Sequence, residues 1–193
     1  VQDLDSNRGV VYSNYRSGGT NRIIAYHSWD DFEDADRNTN APNIIMTGSL
    51  DGNVSAIKVS PFTTDSSTIF VGTESGSVFK ITNADTADAN DNSTANWSNI
   101  TGSQFLGSVS DIEFGKDENH LFVTFHNYGV ENIFYSEDGG QSWTEKEGNL
   151  PDIPVRCILQ NPLSLNEVII GTELGVWYTK NFDSESPNWS RAY

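Results

Sequence analysis

Trp97, Trp143 and Trp189 stand 46 residues apart, twice, and each opens a similar phrase: NWSNI, SWTEK, NWSRA. A repeat of roughly 40–50 residues is one supersecondary unit that cannot bury its faces alone, so neighbouring copies must stack. The rest of the chain keeps the period. VSAIKV from 54, VSDIEF from 109 and VRCILQ from 155 align as a first apolar run. TIFVGT, HLFVTF and EVIIGT align as a second, and GSVFKI, ENIFYS and GVWYTK as a third. The runs are short, rich in Val, Ile, Phe, Tyr and Trp, and bounded by Gly, Pro, Asn, Asp and Ser. That is strand chemistry, and no capped segment of 3.6-residue period competes with it.

Each unit therefore reads as four antiparallel strands, and four-stranded units of this length read as propeller blades. The expected fold is all-β: a β-propeller segment of four blades at about 1–53, 54–108, 109–154 and 155–193. In the first unit GVVYSN, RIIAYHS and NIIMTG fit second, third and fourth strands, with Pro42 where other copies carry Trp. No inner strand is expected there. Four blades short of one strand make an awkward closed ring, so the segment is expected to belong to a larger ring or to self-associate.

Charge narrows the partners. The chain holds 27 acidic and 11 basic residues, a formal net charge of −16. Such a surface repels phosphate backbones and anionic lipid, so nucleic acid is not an expected partner. No run approaches the length of a membrane span. Cys157, the single cysteine, lies in VRCIL and is expected to be a small buried hydrophobe.

The most sharply patterned stretch is SEDGGQSW, with Ser136, Asp138, Gly140 and Trp143 at S-x-D-x-G-x-x-W spacing. Ser and Asp accept hydrogen bonds from their own turn, Gly permits positive φ, and Trp offers a plate for packing. Each residue has a folding task, and no His, Lys or second carboxylate stands at fixed spacing to make Asp138 catalytic. Thr179, Asn181 and Trp189 repeat the pattern in degenerate form, with three residues inserted.

This motif resembles the Asp-box, or bacterial neuraminidase repeat, of sialidases, xyloglucanase-type glycosidases and sortilin-type receptors. VSDIEF through GTELGVWYT is most similar to large secreted propellers of Bacteroidetes. The resemblance implies a structural Asp-box at the blade periphery and a secreted or cell-surface bacterial protein. It also implies three functions to weigh: a non-catalytic scaffold or binding segment, a glycoside hydrolase fragment acting on polysaccharide, and a sortilin-type peptide binder. A sialidase would need an arginine triad and a F/Y-R-I-P signature, and none of the six arginines sits in one.

The scaffold reading leads, with no catalytic residue assigned. In propellers the turn between second and third strands shares a face with the links between blades. That face gives the binding candidates Asp51, Glu74, His126, Tyr128, Asp152 and Glu173. Glu74 (GTESG) and Glu173 (GTELG) are also the carboxylates a hydrolase would use, though repetition favours a turn-bracing role for both. Carbohydrate and protein are both admissible ligands. No cofactor is expected, but calcium would suit three alternating Asp/Asn runs. They are Asp3, Asp5 and Asn7; Asp34, Asp36 and Asn38; and Asp88, Asn90 and Asn92. None has the glycine or the terminal Glu of a complete calcium loop.

Overall fold

The computed structural model describes residues 2–6, 8–26, 44–46, 50–86 and 95–192. The chain forms four antiparallel four-stranded sheets in sequence order, as expected of propeller blades. Sheet 1 holds β1 (Gln2–Asp5), β2 (Val10–Ser17), β3 (Thr20–Tyr26) and β4 (Ile44–Ile45). Sheet 2 holds β5 (Val54–Val59), β6 (Ile69–Thr73), β7 (Val78–Thr82) and β8 (Asn96–Asn99). Sheet 3 holds β9 (Val109–Phe114), β10 (Leu121–Phe125), β11 (Ile133–Ser136) and β12 (Thr144–Glu145). Sheet 4 holds β13 (Val155–Gln160), β14 (Val168–Thr172), β15 (Gly175–Thr179) and β16 (Ser190–Arg191). One 3-10 turn, Ala84–Thr86, is the only helical element among the described residues. No helix there is long and apolar enough to cross a membrane.

One expectation is corrected. The first blade does have its inner strand: β1 pairs with β2, Leu4 opposite Val11 and Asp5 opposite Val10. The segment QDLD hides its strand character because aspartates occupy the inward positions. Their oxygens are used. Asp3 Oδ2 accepts the Val59 amide at 2.7 Å, and Asp5 Oδ2 accepts the Ser67 hydroxyl at 2.6 Å, both in sheet 2. Asp3 and Asp5 are thus ties between blades, which corrects their reading as a calcium loop. Asp111, at the matching place in β9, accepts the Ile158 amide of sheet 4 at 3.2 Å. The other two alternating runs, Asp34–Asn38 and Asp88–Asn92, lie outside the described residues.

Three apolar clusters sit between successive sheets. Tyr12, Ile23 and Ala25 of sheet 1 meet Ile57, Ile69 and Val71 of sheet 2. Phe70 and Val78 of sheet 2 meet Val109, Ile112 and Val123 of sheet 3. Phe122 and Ile133 of sheet 3 meet Val155, Ile158 and Ile170 of sheet 4. Each buried aliphatic or aromatic side chain contributes about 1.5–3 kcal/mol, so these junctions hold the segment together. The period in the sequence has a physical counterpart here. The indole N–H of Trp143 donates to the Ile100 carbonyl at 2.8 Å, and that of Trp189 to the Lys146 carbonyl at 3.1 Å. In both cases the acceptor lies 43 residues back, in the fourth-strand region of the preceding sheet.

Cys157 is exposed, against expectation. Its neighbours in register, Gly171 and Val176, lie on the sheet 4 face that no following sheet covers. The apolar run VRCIL alternates, and only Val155 and Ile158 of it turn to the core.

Candidate functional site

The turn between second and third strands begins in an equivalent way in three sheets. Glu74, His126 and Glu173 each donate their backbone N–H to the residue just before their own inner strand. The acceptors are Asn53 at 2.9 Å, Ser108 at 3.0 Å and Pro154 at 3.4 Å. Bracing is therefore a backbone task at this position, which leaves the side chain free to vary. The sequence uses that freedom: Glu, His, Glu.

At the junction of sheets 3 and 4 the side chains converge. Tyr128 donates its hydroxyl to Glu173 Oε2 at 3.0 Å. His126 Nε2 lies 3.2 Å from Glu173 Oε1, and the Arg156 guanidinium reaches the same oxygen at 2.7 Å. Asp152, on the link between these sheets, accepts the Gly129 amide at 2.7 Å. Four of the six face candidates are thus brought together: His126, Tyr128, Asp152 and Glu173. The other two sit at sheet 2. Glu74 accepts the Asn53 side-chain amide at 2.8 Å, and Asp51 accepts the Thr73 hydroxyl at 3.2 Å.

The hydrogen bond from Tyr128 holds the Glu173 carboxyl below the usual carboxylate range, and His126 and Arg156 add to it. The same bond pushes the Tyr128 phenol up. Glu173 is therefore an ionised acceptor near neutral pH, the reverse of what an acid catalyst needs. Tyr128 remains 59 % exposed and Leu174 beside Glu173 54 %, so an aromatic ring and an aliphatic side chain face solvent next to a polar cluster.

Sequence reasoning missed Arg156, which was hidden as the second residue of an apolar run. A lone cation inside such a run, in a chain this acidic, was the signal. It also missed a second group on the same side of sheet 3. Gly129, Val130, Glu131, Glu145, Glu147 and Asp152 line a cavity of about 480 Å³. Carboxylate oxygens of Glu131, Glu145 and Glu147 lie within 4.8 Å of one another, an oxygen set of the kind that hard cations take. Glu147 is buried, accepts the Asn132 amide, and has its pKa pushed up to about 7, chiefly by that burial.

The hairpin Ser136–Trp143 lies at the other end of β11, and its polar groups are bonded to each other. The Ser136 hydroxyl donates to Asp138 Oδ1 at 2.8 Å and accepts the Gly140 amide at 2.8 Å. Asp138 accepts the Ser142 amide at 2.9 Å and the Ser142 hydroxyl at 2.6 Å. These donors, Ser142 first, hold the Asp138 carboxyl down at about 2. Gly140 has φ +91°, and a Cβ there would stand 2.8 Å from Ile100 Cδ1. Thr179 and Asn181 reproduce the arrangement in sheet 4: the hydroxyl donates to Asn181 Oδ1 at 2.8 Å, which also accepts the Asn188 amide at 3.0 Å. The inserted residues loop out without breaking it.

Among solved structures the chain is similar to a GH74 enzyme of Niastella koreensis, with TM-score 0.62 and 15 % identity. It is similar also to the GH74 xyloglucanase of Xanthomonas campestris, with TM-score 0.61 and 11 % identity. The alignments cover 98 % and 97 % of this chain, which spans 29 % of each neighbour's length. At such identity the likeness is one of fold, and it agrees with an all-β propeller segment. No family model and no curated protein matches the chain.

Proposed function

We propose that the chain is a non-catalytic propeller segment of the Asp-box type whose face at the junction of sheets 3 and 4 binds a carbohydrate. The observation that carries this is the cluster of Tyr128, His126, Arg156 and Glu173. An exposed ring flanked by fixed donors and one ionised acceptor suits a sugar, whose apolar face stacks while its hydroxyls exchange hydrogen bonds. The fold likeness to enzymes named for xyloglucan makes a plant-type polysaccharide the first ligand to try. Secretion or surface display is part of the same reading, since polysaccharide lies outside the cell.

Titration calorimetry with soluble xyloglucan tests it. Binding that disappears in Tyr128→Ala, with no reducing sugar released by wild type, is the expected result. Sugar release that depends on Glu74 or Glu173 overturns the non-catalytic reading.

One observation favours a second reading, a glycoside hydrolase fragment. Glu147, with its raised pKa, stands among carboxylates in the cavity that also includes Asp152. A protonated acid beside an ionised partner is the pairing glycoside hydrolysis uses. Under that reading Glu147→Gln abolishes turnover while xyloglucan still binds. A sortilin-type peptide site has no comparable observation behind it.

A further inference from the structure

Sheet 4 presents an apolar face that has a counterpart, already covered, in the preceding sheets. Leu159, Ile169 and Tyr178 form one row across its three long strands, and Cys157, Gly171 and Val176 the next. Leu159 is 54 % exposed, Ile169 47 %, Val176 47 % and Tyr178 37 %. In sheet 2 the matching second row is Ala56, Gly72 and Val78, and sheet 3 buries it. The fit there is close: a Cβ on Gly72 would stand 2.5 Å from Val109 Cγ1, so glycine makes the space into which the valine heading the next inner strand fits. Gly171 occupies the same register, and the atom nearest its would-be Cβ is Sγ of Cys157, of its own sheet. The face is a socket for another inner strand of V-x-x-I type.

The complementary surface is at the opposite end of the molecule. Ile57, Ile112 and Ile158, three residues after the valine of each inner strand, are 7 %, 1 % and 3 % exposed because the previous sheet covers them. In sheet 1 the sequence is VQDL, and Leu4 at that place is 43 % exposed. Farther out on the same side Val11 and Ile24 are already buried, so the free part of this face is its inner strand.

We infer that sheet 4 of one copy receives sheet 1 of a second copy, head to tail, repeating the contact that joins the sheets within the chain. The contact is heterologous, and two of them close a ring of eight blades, the upper end of the usual propeller range of about 4–8. This goes beyond the carbohydrate reading and does not depend on it.

Light scattering after size exclusion, at about 0.15 M salt to screen the acidic surfaces, tests the inference. Wild type is expected at twice the 21.3 kDa of the chain. Leu4→Lys and Ile169→Lys, both at solvent-exposed positions, are each expected to return it to a monomer with unchanged far-UV circular dichroism. A wild-type monomer at millimolar concentration overturns the inference, and the face then belongs to a blade of another polypeptide stretch. A dimer broken by Ile169→Lys but not by Leu4→Lys overturns the head-to-tail pairing, since two sheet 4 faces would then be meeting. An open-ended series of masses overturns the closed ring.

Discussion

The hairpin Ser136–Trp143 and the turn His126–Gly129 lie at opposite ends of β11, and their polar groups serve different ends. In the hairpin the side chains bond to atoms within seven residues, and the Trp143 indole ties the hairpin to Ile100 of sheet 2. In the turn the backbone does the bracing, and the side chains reach across to Glu173 on the next sheet while staying open to solvent. One end of the blade is closed on itself and the other is available. The lesson is that the more conspicuous motif labels the fold, and the plainer turn is where a ligand can be held.

Substitutions at the hairpin should break stability and spare binding. Trp143→Ala has the largest expected effect, about 3–5 kcal/mol, because it empties a buried site against Phe105 and orphans the Ile100 carbonyl. Chemical denaturation reads it directly. Gly140→Ala comes next, at about 2–3 kcal/mol, since it joins an unfavourable φ to a clash with Ile100. The same measurement should show the loss with no change in the denaturant slope.

Glu147 sharpens the comparison from the other side, because burial there is unfavourable to the charge. Its folded pKa of about 7 lies above the ordinary 4.5. The native state therefore holds more protons than the unfolded state between these values. Stability falls as pH rises from about 4.5 to 7 and stays lower above. Glu147→Gln is expected to raise stability at pH 8 by about 2 kcal/mol and to change little at pH 4. Thermal melts at the two pH values check this, and a uniform loss at both would show that the carboxylate is needed for its bond to Asn132.

Asp138 carries the opposite sign. Its carboxyl is held at about 2, below the ordinary 3.8, so the hairpin's contribution is present above pH 4 and fades as pH falls toward 2. Asp138→Ala should lower the melting temperature at neutral pH, and the difference from wild type should shrink in acid. The smallest expected effect on stability is that of Glu173→Gln at the open turn. Its melting curve should overlay the wild type, since exposed ion pairs contribute little.

What the sequence revealed follows the same division. Strands and the Ser136–Trp143 hairpin were legible because their determinants are local: alternation within six residues, and donors and acceptors within one turn. The 46-residue tryptophan period was legible because each indole repeats one contact with the preceding sheet. The inner strand β1 was not, because Asp3 and Asp5 carry inter-sheet hydrogen bonds where the other copies carry apolar or uncharged residues at one or both places. Arg156 and Glu147 were missed for a related reason. Their roles arise from juxtaposition with Glu173 and with Asn132, Glu131 and Glu145, which no spacing rule encodes. The exposure of Cys157 depends on a neighbour beyond sheet 4 and so on nothing in its own strand.

The division of labour between the two ends of β11 is best tested by one paired titration. Soluble xyloglucan is titrated into wild type, Tyr128→Ala and Asp138→Ala under conditions where all three are folded. The account predicts that Asp138→Ala binds as wild type does and that Tyr128→Ala loses binding by tenfold or more, about 1.4 kcal/mol. Equal binding by wild type and Tyr128→Ala, or loss of binding confined to Asp138→Ala, would contradict it.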